Sequence, residues 1–301
     1  MKYQDITIRA KDSYRLSARL FDVSEPKAVV QVLHGMEEHK GRYDDFAAFL
    51  QENGFAVLTC DMRGHGSDAP LLSHIADKGG DRLLVSDVRR VSSWLRKRFP
   101  RRQQYLFAHS MGTIIARRVL QADSGCYDKV VLSGYPVPQK SAVLGVALSA
   151  AASLLKGGPK GHSAMVTNLA MGGFSRAIPD AKTPLDWLSY NEENVRRYQE
   201  SALCGKEFTL GSYDALFRLV SAIAEPKLYR NVLSIIPILL ISGEDDPCTG
   251  GEAGRKVSAD VLRQAGFECI TVETIPHMRH EILNETGHEA VYKKILEFLE
   301  G

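Results

Sequence analysis

The segment Tyr105-Leu106-Phe107-Ala108-His109-Ser110-Met111-Gly112-Thr113-Ile114-Ile115-Ala116 leaves the chain few ways to fold. An apolar run ends in five residues with small side chains at both ends and a serine in the middle, and a helix-period pattern follows directly. That order is a strand, a sharp turn and a helix. It fits the G-x-S-x-G elbow, in which serine sits on a strained backbone, its hydroxyl projects above a sheet and the next N–H points the same way. Small flanking residues are needed because strand and helix pass very close. Ala108 stands where the first glycine of the pattern belongs, so one methyl group must fit between the backbones.

The surrounding pattern supplies the sheet. Residues 6–20 alternate polar and apolar about a Lys11-Asp12-Ser13 turn, which predicts an edge hairpin. Residues 28–33 and 55–60 read as buried strands; the first stops at His34-Gly35-Met36-Glu37-Glu38-His39, the second at the glycine-rich loop Asp61-Met62-Arg63-Gly64-His65-Gly66-Ser67. Helical periodicity covers 43–53 and 83–99, and strands recur at 104–108 and 129–133. From 135 to 229 no strand pattern is visible. Alternation then resumes with a strand at 235–242, a helix at 253–265, a strand at 268–275 and a helix at 290–299. Strands alternating with helices at this spacing predict an α/β fold with a mainly parallel sheet and right-handed crossovers. The expected organisation is a core formed by 1–134 and 230–301, with 135–229 inserted above it as a helical cap.

Composition excludes several classes of function. A net charge of +2 over 301 residues argues against a nucleic-acid partner. The basic run Arg96-Lys97-Arg98 falls at the end of a helical pattern, where cations offset the negative helix terminus. Five scattered cysteines with no CxxC spacing point to a reducing compartment rather than a disulfide or zinc scaffold. The opening residues lack the basic and apolar regions of a secretory signal. The nearly uncharged stretch 141–155 is shorter than the roughly 20 residues a membrane span requires. The expectation is a cytoplasmic protein.

A serine hydroxyl is a weak nucleophile at neutral pH, so Ser110 needs a histidine base, a carboxylate to orient it and N–H donors for the oxyanion. In this architecture the acid and then the histidine follow the serine in sequence. The strand at 235–242 runs into Gly243-Glu244-Asp245-Asp246-Pro247, so the acid is sought there, with Asp245 and Asp246 both candidates. The last strand runs into Pro276-His277-Met278-Arg279-His280-Glu281, which offers His277 and His280 as bases. The oxyanion donors are expected to be the N–H of Met111 and an N–H after Leu33, at Met36. His34, His65 and His109 read as backbone-bracing or packing residues. The His277/His280 spacing lacks the third ligand cluster a metal would need.

The segments His34-Gly35-Met36-Glu37-Glu38-His39 with Arg42-Tyr43, Asp61 to Ser67, His109-Ser110-Met111-Gly112 and the His277/His280 pair together resemble the monoacylglycerol lipase and lysophospholipase branch of the α/β-hydrolases. The resemblance implies an α/β-hydrolase fold and a cap that sets specificity. It also implies hydrolysis of a small-molecule monoacyl ester without cofactor or metal, with Asp246 as acid, His280 as base and donors at Met36 and Met111. Asp245 is then expected to face solvent, and His277, nearer the strand, to be held against the core. An aminopeptidase of the same fold would want cap carboxylates for a substrate ammonium, whereas Glu192, Glu193, Glu200 and Glu207 read as a solvated helix surface. Dehalogenases and epoxide hydrolases need aspartate where Ser110 stands. A ligand sensor with little turnover would not require the whole constellation, and a thioester hydrolase would. The apolar stretch 141–155 suits a helix that faces an acyl pocket, makes transient contact with a lipid surface or packs on the sheet domain.

Overall fold

The computed structural model describes residues 2–179 and 181–301. The strands are β1 (Gln4–Arg9), β2 (Arg15–Phe21), β3 (Val29–Leu33), β4 (Ala56–Cys60), β5 (Gln104–His109), β6 (Lys129–Ser133), β7 (Ile238–Gly243) and β8 (Ile270–Ile275). They form one sheet in the order β1-β2-β4-β3-β5-β6-β7-β8. The hairpin β1–β2 is antiparallel and β2 meets β4 antiparallel; from β4 to β8 every pairing is parallel.

A parallel sheet buried on both faces demands strands that are apolar on both sides, and β3 through β7 read that way. Alternate residues point to opposite faces, so Leu106 and Ala108 enter one core while Phe107 enters the other. On the Phe107 side the sheet is covered by α1 (Asp44–Glu52) and α9 (His288–Glu300), through Phe46, Leu50, Tyr292 and Ile295. The opposite face is covered by α2 (Gly80–Arg98), α3 (Met111–Ala122) and α8 (Gly251–Gln264). β7 begins at Ile238 rather than at 235 because Pro237 has no N–H for the ladder and Ile235 is exposed.

Between β6 and β7 the described residues hold four α-helices and no strand: α4 (Val143–Leu155), α5 (Ala164–Arg176), α6 (Glu192–Glu200) and α7 (Leu210–Ile223). α7 packs deeply against the sheet, with Tyr213, Phe217 and Ile223 in one buried cluster with Leu106 and Leu132. Among the described residues no helix is long and apolar enough to cross a membrane.

The order of strands fixes where a site can lie. From β3 the chain crosses to β4 on one side, and from β5 to β6 on the other, so the loops after β3 and β5 diverge and leave a crevice at the strand ends. Open α/β sheets bind their ligands at such a switch point.

Candidate active site

Ser110 occupies the turn between β5 and α3 with φ 51° and ψ −120°. Few residues other than glycine adopt such a conformation, and it costs about 1–3 kcal/mol where the surroundings impose it. Here the Ser110 N–H donates to Ser133 O at 2.9 Å, and the Ser110 carbonyl accepts the Thr113 N–H and hydroxyl. Gly112 shows why the turn tolerates so little bulk. A Cβ at that position would lie 2.6 Å from Leu33 O and 2.8 Å from His34 O. Ala108 is fully buried, its methyl accommodated in the core.

The loop after β8 brings His280 to the same place. Gly243 at the end of β7 makes this possible, because a Cβ there would overlap the Met278 and Arg279 carbonyls. His280 Nδ1 lies 3.0 Å from Asp246 Oδ2, and both side chains are buried. Asp246 is fixed in turn, its other oxygen accepting the Cys248 N–H at 2.9 Å. Burial would lower the His280 pKa, but the Asp246 carboxylate outweighs it, with help from Glu281 and Glu38, and the pKa stands above 6.5. Asp245 is exposed and accepts a hydrogen bond from the Tyr190 hydroxyl at 3.0 Å. His277 is also exposed, with φ 53°. The expectation that His277 lies against the core is corrected: the tight turn after β8 points Met278 inward instead, at 7% exposure.

Ser110, His280 and Met111 line one cavity of about 460 Å³ together with Gly35, Met36 and Glu37. Ser110 Oγ makes no direct hydrogen bond to His280 among the described residues; such contacts are often loose without substrate and tighten in the complex. Much of the remaining lining is apolar and comes from the insertion, through Leu144 and Gly145 of α4, Leu169 of α5, Leu216 and Phe217 of α7, and Trp187, while Glu38, His109, Ile114, Cys248 and Glu281 line it from outside the insertion. Trp187 packs on His280 at 4.9 Å between ring centroids.

The other buried histidines are braces. His34 Nδ1 lies 2.7 Å from Gly35 O and its Nε2 accepts the Met62 N–H at 2.9 Å, the pattern of a neutral ring protonated on Nδ1. Burial pushes its pKa down to about 4. His109 packs on His280 at 4.6 Å, and burial, then the neighbouring His280, push its pKa down to about 4. His65 is buried with its Nδ1 3.0 Å from Arg63 O, and burial lowers its pKa to about 3.

A charged network behind His280 is absent from the sequence-based expectations. Arg42 donates to Glu38 Oε2 at 3.1 Å and to both oxygens of Glu281, the Nη2 contact to Oε2 measuring 2.7 Å. Asn194 of α6 joins it, donating to Glu281 Oε2 at 2.6 Å and accepting from Arg42 at 2.8 Å. Glu285 accepts from the Ser189 hydroxyl and from the Tyr190, Asn191 and Arg279 N–H groups. The sequence carries part of this signal, in the Glu38/Arg42 spacing of four and in the carboxylate next to His280. Asn194, Glu285 and Trp187 carry none, because their roles depend on how the insertion folds back.

Asp246, Cys248 and His280 have metal-ligating atoms within 4.8 Å of one another. Their chemistry favours the hydrogen bond over an ion, since Asp246 and His280 already use facing atoms and burial holds the Cys248 thiol protonated.

The sequence model of the family described as serine aminopeptidase, S33 (Hydrolase_4) matches residues 24–287. The chain belongs to that family. A monoacylglycerol lipase of Mycolicibacterium smegmatis is 25% identical over 92% of this chain and 89% of its own length. The monoglyceride lipase of Homo sapiens is 26% identical over 95% and 89%. In three dimensions a carboxyl esterase from Bacillus coagulans, solved with glycerol, matches with a TM-score of 0.89 and 24% identity over 100% of this chain and 99% of its own. The fold is the α/β-hydrolase fold, and the chain is an enzyme of that class, similar to lipases and esterases.

Proposed function

We propose that this hydrolase cleaves small monoacyl esters of the monoacylglycerol or lysophospholipid type through an acyl-enzyme, with Ser110 as nucleophile, His280 as base and Asp246 as the acid that orients it. The carrying observation is the buried 3.0 Å contact between His280 Nδ1 and Asp246 Oδ2 on the cavity that Ser110 lines. With Nδ1 engaged, His280 offers Nε2 to the serine. Ser110 Oγ attacks the ester carbonyl carbon as its proton passes to Nε2, and the oxyanion is held by the N–H groups of Met36 and Met111. Neither N–H donates to another protein group among the described residues. Collapse breaks the ester C–O bond, and the departing alcohol takes the proton from Nε2. Water then repeats the cycle on the acyl-enzyme and frees the acid. No metal or cofactor is needed for these steps.

The apolar lining supports an acyl chain in the cavity. We propose further that residues 135–229 act as the cap, and that its exposed apolar residues, Leu144, Leu154 and Leu155 of α4 with Met165 and Leu169 of α5, meet a lipid surface. Leu144 and Leu169 also line the cavity, so this face leads into the proposed substrate site. The aminopeptidase reading lacks the cap carboxylates it requires. Glu192, Glu193, Glu200 and Glu207 are exposed, they pair with Lys182, Arg196 and Thr167, and none lines the cavity.

An active-site fluorophosphonate tests the reading directly. Covalent labelling and 4-nitrophenyl ester hydrolysis are both expected in the native chain, and both are expected to vanish in Ser110→Ala. Loss of a triad nucleophile costs on the order of a millionfold in rate. Turnover by the variant within tenfold of the native rate would remove Ser110 from the chemistry.

A further inference from the structure

Glu37 is a carboxylate in a position where a side chain is costly. Its φ is 55°, in the left-handed region that favours glycine. Strain of this kind persists where neighbours over-determine it, and three bonds from the insertion do so here. The Glu37 carbonyl accepts the Gly205 N–H and the Tyr198 hydroxyl, each at 2.9 Å. One carboxylate oxygen accepts the Phe208 N–H at 3.2 Å. Among the described residues the other oxygen has no hydrogen-bond partner, and it is not a buried unpaired atom, so it is open to a ligand. Burial pushes the carboxyl pKa up to about 7, against the Phe208 N–H that lowers it.

The residue also stands close to the reacting groups. It lines the Ser110 cavity and follows Met36 directly. It is two residues from Gly35, at which a Cβ would lie 3.1 Å from Ser110 Cβ. Two residues span at most about 7 Å between Cα atoms, so the Glu37 backbone stays beside the reacting groups and its side chain lines the same cavity. The acyl chain fills the apolar lining of α4, α5 and α7. A polar group on the alcohol side therefore finds Glu37 as an acceptor along the oxyanion loop.

We propose that Glu37 selects the leaving group, accepting a hydrogen bond from a free hydroxyl on the alcohol moiety of a polyol monoester. This rests on the ester-hydrolase reading and deepens it. Above about pH 7, where Glu37 is ionised, a charge-assisted hydrogen bond to it changes binding by about tenfold or more. The strained backbone aims the group, and the cap segment 198–208 holds it.

The test compares three laurate esters: monolauroylglycerol, which offers hydroxyls; lauroylcholine, which offers a cation without a donor; and methyl laurate, which offers neither. Glu37→Gln keeps an oxygen for the Phe208 N–H and puts an NH2 where the open oxygen stood. Glu37→Gly removes the side chain at a φ that glycine accepts freely. The ratio of kcat/KM for monolauroylglycerol to that for methyl laurate is expected to fall at least about tenfold in Glu37→Gly and less in Glu37→Gln, whose NH2 can still donate to a substrate hydroxyl oxygen. The lauroylcholine ratio is expected to fall as well, because its cation loses a neighbouring carboxylate. An unchanged glycerol ratio, or a fall confined to lauroylcholine, overturns the proposal. Methyl laurate turnover by the native chain and its loss in Ser110→Ala report on the hydrolase reading separately.

Discussion

His280 is held between two opposing effects, and the balance has a kinetic signature. Burial favours the neutral ring, while Asp246, Glu281 and Glu38 favour the imidazolium and win, so the pKa stands above 6.5. A general base must be neutral to accept the serine proton. The acid limb of kcat/KM is therefore expected above pH 6.5 in the native chain. Asp246→Asn removes the largest opposing charge and lets burial act, which moves the limb to lower pH while kcat falls about 10⁴-fold. Asp245→Asn loses only a surface bond to Tyr190, and both limb and rate are expected to stay near native. A crippled Asp245→Asn beside a nearly normal Asp246→Asn would put the acid one residue away. In the sequence the two aspartates differ by one position in a turn. Pro247 biases Asp246 towards extended backbone, and its φ and ψ are −74° and 109°. Without the family resemblance, that bias was the available signal for the register. His277 shows the limit of such reasoning, since its exposure follows from a positive φ that neither spacing nor residue type announces.

At the scale of elements, the strands and helices of the sheet are legible because periodicity, glycine stops and β-branched runs agree. The insertion is less so. α4 combines two environments that its composition does not separate: Gly145, Ser149 and Ala152 are buried, with Gly145 facing the Phe217 ring, while Leu154 and Leu155 are 89% and 82% exposed. A nearly uniform apolar run cannot say which face packs. The geometry divides the tests. Leu154→Ser with Leu155→Ser leaves the cavity lining untouched and is expected to reduce turnover of monoacylglycerol presented in vesicles several-fold, with soluble short-chain esters little affected. Burying two leucines is worth roughly 3–6 kcal/mol when complete, so partial insertion leaves room for such an effect. Leu144→Asn alters the cavity mouth and is expected to lower kcat/KM for long-chain esters more than for acetate, whether or not a surface is present. Equal loss on vesicles and in solution for the Leu154/Leu155 pair would count against surface contact.

Over the whole molecule, the insertion is fastened to the sheet unequally. α6 and the segment before it are tied to the His280 loop by Asn194 and Glu285, whereas α4 and α5 leave Leu144, Leu154, Met165 and Leu169 uncovered. Arg42 is the hub of the fastened side, the cation that lies between Glu38 and Glu281. Burial would raise the Glu281 pKa, but Arg42 outweighs it, with Asn194 contributing, and holds it below the ordinary value of 4.5. A carboxyl depressed in the folded state stabilises above its unfolded pKa and loses that contribution as the pH falls through the folded value. In Arg42→Met the cation is gone and burial outweighs the remaining Asn194 hydrogen bond, so the sign reverses. Glu281 then favours the protonated form, and the variant loses stability as the pH rises. Breaking a buried pair by removing one partner costs about 3–5 kcal/mol. At about 2–4 °C per kcal/mol for a large domain, the Tm of Arg42→Met is expected near 10 °C below native at pH 8. The deficit should narrow as the pH is lowered to about 5, where the native chain still keeps the contribution of its depressed carboxyl while the variant begins to neutralise its orphaned Glu281. Thermal unfolding from pH 8 to 5 checks this, and a deficit that stays constant across the range would show that Arg42 acts through its packing rather than its charge.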